Sequence, residues 1–103
     1  MSRIVEITNS DESDSFIQNN PRSVIFFGSV RCPHCTTMTP IYQQLAHKYN
    51  SVVFGHVETS RVDVENLNGV PAFVAYKDSQ PVEMVLGARR EALVDMIEQK
   101  LIS

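Results

Sequence analysis

The two cysteines of this 103-residue chain stand in one short stretch, Arg31-Cys32-Pro33-His34-Cys35. A disulfide closing so small a loop removes little entropy from the unfolded chain, so stability does not explain the pair and a chemical role does. The residues before it, Ser23 to Gly28, form a continuous β-branched and aromatic run, and the residues after it carry a helical stripe. Cys32 therefore falls at a helix N-terminus among unpaired N–H groups, a position that favours a thiolate. Arg31 directly before it, and His34 when protonated, add positive charge in the same turn. Cys32 is the expected nucleophile. Cys35, one turn on and facing inward with Met38 and Tyr42, is the expected resolving thiol for a mixed disulfide formed at Cys32. Pro33 lacks an N–H and has a fixed φ, which suits a first helical turn; a plain helix starter would look the same.

The same spacing also occurs in zinc sites, which need two further ligands. The remaining histidines, His47 and His56, follow Cys35 by 12 and 21 positions, off the usual finger spacing. What favours exchange over zinc is the placement of the motif between a strand end and a helix start in a β-α-β context.

Around the motif, Arg3 to Ile7 reads as a strand, and cap-type residues from Asn9 to Asp14 lead into a short helix that Pro21 stops. The run over 23–28 has the pattern of a central, parallel strand covered on both faces. Met38, Ile41, Tyr42, Leu45, Ala46 and Tyr49 mark a second helix to about Tyr49, with Pro40 expected to kink it. Val52 to Val57 reads as a third strand, Arg61 to Leu67 as a short helix or turn, and Ala72 to Tyr76 as a fourth strand. Asp78 to Pro81 is a hairpin turn into an edge strand, where Val82, Met84 and Leu86 alternate with Glu83 and Val85; Gly87 ends it. Leu93, Met96, Ile97 and Leu101 mark a terminal helix. The order β-α-β-α-β-α-β-β-α predicts a single α/β domain over residues 1–103, with three layers: a mixed sheet with helices on both faces.

At this length roughly 65% of the unfolded surface should be buried, enough for one core. With 43% hydrophobic and 20% charged residues, disorder is excluded. Nine Lys plus Arg against twelve Asp plus Glu give a net charge of −3, the opposite of a nucleic-acid binder's footprint. The apolar run Val24 to Phe27 is far short of a membrane span.

With these residues in place, the chain resembles the thioredoxin family almost end to end. In that family a C-x-x-C follows the central strand, a mid-helix proline follows it, an apolar-Pro pair with a cis peptide faces the cysteines, and a glycine follows the last strand. Cys32 to Cys35, Pro40, Val70-Pro71 and Gly87 fit in that order. The resemblance implies a three-layer thioredoxin fold and a cis Val70–Pro71 bond. It also implies a Val70 backbone that pairs with an extended client segment, beside a groove formed by Pro33, Val70, Pro71, Gly87 and Ala88.

The departures carry information. Thioredoxins usually read Trp-Cys-Gly-Pro-Cys, whereas Arg31 precedes the nucleophile here and the inner pair Pro33-His34 is that of the bacterial disulfide oxidase DsbA, whose large helical insertion has no room in 103 residues. Phe26 occupies the strand position of the family's buried aspartate, and His56 falls where the family has that aspartate's lysine partner. His56 could substitute as a base or be a satisfied core or edge histidine. Glutaredoxins follow the last strand with Gly-Gly and an acidic pattern, and this chain reads Gly87-Ala88-Arg89-Arg90. Arg89 and Arg90 could join Arg31 and His34 in a positive rim facing acidic partners, or be solvated surface charge.

The expectation is a thiol–disulfide oxidoreductase acting on client proteins, with no metal or organic cofactor, regenerated by a reductase such as thioredoxin reductase or by glutathione. Its alternatives are a non-enzymatic protein-binding module of the same fold and a glutaredoxin-like, glutathione-dependent reductase. Arg31 and His34 stabilise the reduced form and so predict a more oxidising protein than a typical thioredoxin. No signal peptide is visible, which predicts a cytoplasmic protein whose duty is net reduction or isomerisation of clients.

Overall fold

The computed structural model describes residues 4–62, 64, 67 and 69–102. Strand β1 (Ile4–Ile7) leads to α1 (Ser10–Asn19), where the Asn9 side chain caps the helix by accepting the Glu12 N–H. Strand β2 (Arg22–Gly28) is followed by α2 (Pro33–Lys48) and β3 (Val53–Glu58). A hairpin of β4 (Ala72–Lys77) and β5 (Gln80–Leu86) precedes α3 (Arg90–Met96), which ends in a wide π turn over Ile97–Leu101. Asp78 and Ser79, both at positive φ, make the hairpin's tight reversal.

The sheet order is β1-β3-β2-β4-β5, so β2 is central as expected, but it is parallel only to β3 and antiparallel to β4. The cause is which end of the sheet the chain occupies. β3 finishes at Glu58 opposite Gly28, and β4 begins at Ala72 opposite Phe27. β3 thus ends and β4 begins at the same end of the sheet, so β4 runs back. Within that segment Thr59 to Arg61 form a turn rather than a helix; Asp63, Glu65 and Asn66 lie outside the described residues.

Alternation along β2 splits the core in two. Val24 and Phe26 pack with α2, α3 and the π turn, whereas Ile25 and Phe27 pack with Phe16 of α1. Gly55 permits the close approach of α1, since a Cβ there would meet Phe16 and Ile7 at 3.0 Å. On the other face Tyr42 anchors α2 to the sheet, its hydroxyl lying 2.6 Å from the Gly55 carbonyl and 3.1 Å from that of Val24. Helix α2 continues unbroken through Pro40. Thr36, Thr37 and Thr39 donate their hydroxyls to the carbonyls of Cys32, Pro33 and Cys35, one turn back along the helix.

Strand β5 presents its faces differently from its sequence alternation. Val85, opposite Phe73, is the one buried residue, and Val82, Met84 and Leu86 are exposed. The pairing of Met84 with Val74 and Leu86 with Ala72 turns those side chains to the α1 face at the sheet's edge. Leu93, Met96, Ile97 and Leu101 are buried, as their spacing predicts.

Candidate active site

After β2 ends at Gly28, the loop Ser29-Val30-Arg31 crosses the end of the sheet to α2. Three hydrogen bonds shape it: the Cys32 N–H to the Ser29 carbonyl at 3.1 Å, the Arg31 N–H to Ser29 Oγ at 3.2 Å, and the Thr59 N–H to the Gly28 carbonyl at 2.8 Å. A fourth comes from a residue that the motif does not contain. The Glu58 carboxylate accepts the Val30 N–H at 3.1 Å while also accepting the Ser60 N–H and hydroxyl. These contacts hold the Glu58 carboxyl below its usual range, the Ser60 hydroxyl contributing most. Nothing in the sequence singles out Glu58, because its partner lies 28 positions away.

Cys32 is the N-cap of α2. Its Sγ accepts the Cys35 N–H at 3.2 Å, so the sulfur takes the place of a capping oxygen at the positive end of the helix. Pro33 occupies the first turn, where a missing N–H costs nothing. Both thiols are free, with Cys32 half-buried and Cys35 only 3% exposed. Burial pushes the Cys35 thiol up to about 11, helped by its hydrogen bond to Cys32, against a lowering contribution from the Ser29 backbone.

The opposite wall comes from β4 and β5. The Val70–Pro71 peptide is cis, and the Cys32 thiol donates to the Val70 carbonyl at 3.8 Å. The Pro71 carbonyl in turn accepts the Gly87 N–H at 2.7 Å. Gly87 has φ +97, a conformation that side chains disfavour, although a Cβ would meet nothing nearer than Arg89 Cγ at 3.9 Å. Glycine is required here by backbone, not by space. The fold thus assembles Cys32, Pro33, Cys35, Val70, Pro71 and Gly87 at one end of the sheet, with Arg31, His34 and Ala88 exposed beside them.

His56 lies elsewhere. Its Nδ1 is 2.9 Å from Glu6 Oε2, and its ring stands edge-on to Phe26 with centroids 5.2 Å apart. Both line a cavity of about 460 Å³ with Ile4, Thr39, Tyr42, Gln43 and Ala46, and Cys35 is not part of its wall. Phe26 also stacks on Phe73 and contacts Tyr42 edge-on. The satisfied-histidine reading therefore describes His56, and Phe26 belongs to the same core cluster as Cys35. Among the described residues no group of three or more His, Cys, Asp or Glu is placed to hold a metal ion, and no helix is long and apolar enough to cross a membrane.

Comparison with known proteins agrees with this arrangement. The family model described as Thioredoxin matches residues 4–99. Thioredoxin 1 of Plasmodium falciparum is 31% identical over 97 residues, covering 90% of this chain and 93% of its own length. A solved structure of thioredoxin from the same organism superposes with a TM-score of 0.89 at 30% identity, over 94% of this chain and 99% of the other. The oxidised form of mitochondrial thioredoxin 3 from Saccharomyces cerevisiae does so with a TM-score of 0.89 at 29% identity, over 93% and 94% of the two chains. A cysteine pair at the start of the helix after the central strand, a cis proline facing it and relatedness along nearly the whole chain lead to one conclusion: this chain belongs to the thioredoxin family.

Proposed function

We propose that this chain is a thiol–disulfide oxidoreductase acting on protein clients, with Cys32 as nucleophile and Cys35 as resolving thiol. Family membership supports the reaction class, and the observation that carries the assignment is the Cys35 N–H to Cys32 Sγ contact of 3.2 Å at the start of α2. In the reducing direction the Cys32 thiolate attacks one sulfur of a client disulfide. The client S–S bond breaks, a Cys32–client bond forms, and the departing client thiolate takes up a proton. Cys35 then gives up its proton and attacks Cys32 Sγ, releasing the second client thiolate. Two electrons and two protons pass to the client, and a Cys32–Cys35 disulfide remains. A reductase or glutathione returns the pair to dithiol. Run backwards, the same steps oxidise a client.

Within this reading the Val70 backbone receives an extended client segment along a groove completed by Pro33, Pro71, Gly87 and Ala88. Arg31 and His34, both exposed beside Cys32, stabilise negative charge on its sulfur and thus the reduced protein, which makes the disulfide form a stronger oxidant than in a typical thioredoxin.

The test uses two variants and one titration. Cys35→Ser should accumulate a covalent mixed disulfide with a client, and Cys32→Ser should form none. A Cys32→Ser protein that keeps full activity would leave a binding module instead. Equilibration in graded thiol–disulfide buffers, read by alkylation mass shift, then gives the potential. A value near about −270 mV marks a thioredoxin-like reductant, and one above about −180 mV an oxidase or isomerase.

A further inference from the structure

Two arginines flank the cysteine groove, joined by His34 when it is protonated, and among the described residues no carboxylate forms an ion pair with any of them. Arg31 immediately precedes Cys32, and His34 lies in the first turn of α2, both exposed. Arg89 stands two residues beyond Gly87 on the opposite wall, linked to the groove by a chain of contacts. Its Cγ lies 3.9 Å from where a Cβ on Gly87 would stand, the Gly87 N–H bonds the Pro71 carbonyl at 2.7 Å, and the adjoining Val70 carbonyl is 3.8 Å from Cys32 Sγ. Arg90 is different: its charge acts on the Tyr49 hydroxyl, beyond the far end of α2. The cationic set at the groove is therefore Arg31 and Arg89, with His34 added when it is protonated.

Two further observations give that set a direction. The one ion pair found among the described residues, His56 with Glu6, sits behind Phe26. The Glu58 carboxylate, whose charge acts on Cys35, is itself engaged by the Val30 N–H and by Ser60. A positive groove in a chain of net charge −3 is not a by-product of basic composition. A client segment laid along Val70 would extend about 3.3 Å per residue, so residues one or two places either side of its reacting cysteine pass Arg31 on one wall and Arg89 on the other.

We propose that the groove selects clients whose disulfide lies in an acidic segment, with Asp or Glu within two residues of the sulfur that Cys32 attacks. This rests on the oxidoreductase reading and adds to it the chemical class of the client. The unpaired cations raise the encounter rate with such segments and slow that of basic ones.

The experiment uses the reduced full chain and three peptides of one length, each carrying a cystine flanked by glutamates, serines or lysines. Rates of exchange are read by alkylation mass shift and divided by the rate of each peptide with dithiothreitol, which removes differences in intrinsic reactivity. The acidic peptide should exceed the basic one by about 10-fold at low ionic strength, and the ratio should fall below about 2-fold at about 0.5 M salt. Arg89→Glu should cut the low-salt ratio of acidic to basic peptide at least 3-fold, each rate taken relative to the same variant's rate with the serine peptide. Equal normalised rates, a preference for lysines, or a ratio indifferent to both salt and Arg89→Glu would overturn the proposal. Exchange with none of the three peptides would instead overturn the oxidoreductase reading, and the serine peptide tells the two failures apart.

Discussion

The Glu58 carboxylate accepts the Val30 N–H at 3.1 Å, joining the last residue of β3 to the loop that delivers Cys32. A neighbouring bond, Thr59 N–H to the Gly28 carbonyl, ties the same two chain segments together. The position of the cysteine motif is thus set by β3 as well as by the strand and helix on either side of it.

Removing that clamp should loosen the loop. Glu58→Ala should lose about 1 kcal/mol of stability, a charge-assisted hydrogen bond discounted for exposure, and slow client reduction severalfold. Glu58→Gln keeps an acceptor and should recover most of the rate. Urea unfolding midpoints and second-order exchange rates check both. Because Glu58 is held below its ordinary 4.5 in the folded state, its contribution is present above that pH and lost as pH falls through the lower folded value. The gap between wild type and Glu58→Gln should therefore close in acid; a gap unchanged down to pH 3 or so would remove the carboxylate's charge from the explanation.

The resolving step should be limited by proton loss from Cys35. Burial raises this thiol to about 11, and only the thiolate attacks, so the rate should climb with pH through the neutral and alkaline range, about tenfold per unit while the thiol stays protonated. In the mixed disulfide the Cys32 charge is gone, so the midpoint should lie below that of the dithiol. Stopped-flow release of a client thiol from a preformed mixed disulfide measures it, and a pH-independent rate would show that another step limits turnover. The raised value also means that folding favours the protonated thiol. Stability from Cys35 is full below its ordinary 9.0 and is lost as pH rises toward 11.

His34→Gln should lower the reduction potential. Where His34 is protonated, its loss takes a positive charge from beside the Cys32 sulfur and about 1 kcal/mol of support from the reduced form, roughly 20 mV for a two-electron couple. The graded-buffer titration resolves a change of that size, and a potential unmoved by the substitution would assign the tuning to the helix terminus alone.

At Gly87 the expected effect is conformational. Gly87→Ala should cost about 1–2 kcal/mol because φ +97 is strained for any residue with a Cβ, even though the site has room for one. If the variant instead relaxes φ, the Gly87 N–H leaves the Pro71 carbonyl and exchange slows with little change in the unfolding midpoint. Unfolding and exchange measured together separate the two responses.

Much of this molecule is decided by local pattern. The β-branched run over β2, the stripe from Met38 to Tyr49, the turn residues at Asp78 and Ser79 and the four buried positions from Leu93 to Leu101 each follow from periodicity or backbone preference acting over one element. The placement of Cys32 is of the same kind, since a strand end followed by Pro33 and a helical stripe fixes a helix N-terminus. What required the folded chain is everything that depends on which end of the sheet a segment reaches. That β4 opposes β2 follows from where β3 ends and β4 begins. That Val85 is buried and Met84 is not follows from pairing across the hairpin, to which the alternation of β5 is blind. His56 pairs with Glu6 and sets its ring edge-on to Phe26, and Glu58 meets Val30 across 28 residues. Periodicity reports the faces of one element, whereas contacts between elements are set by packing and register, which no single stretch of sequence contains.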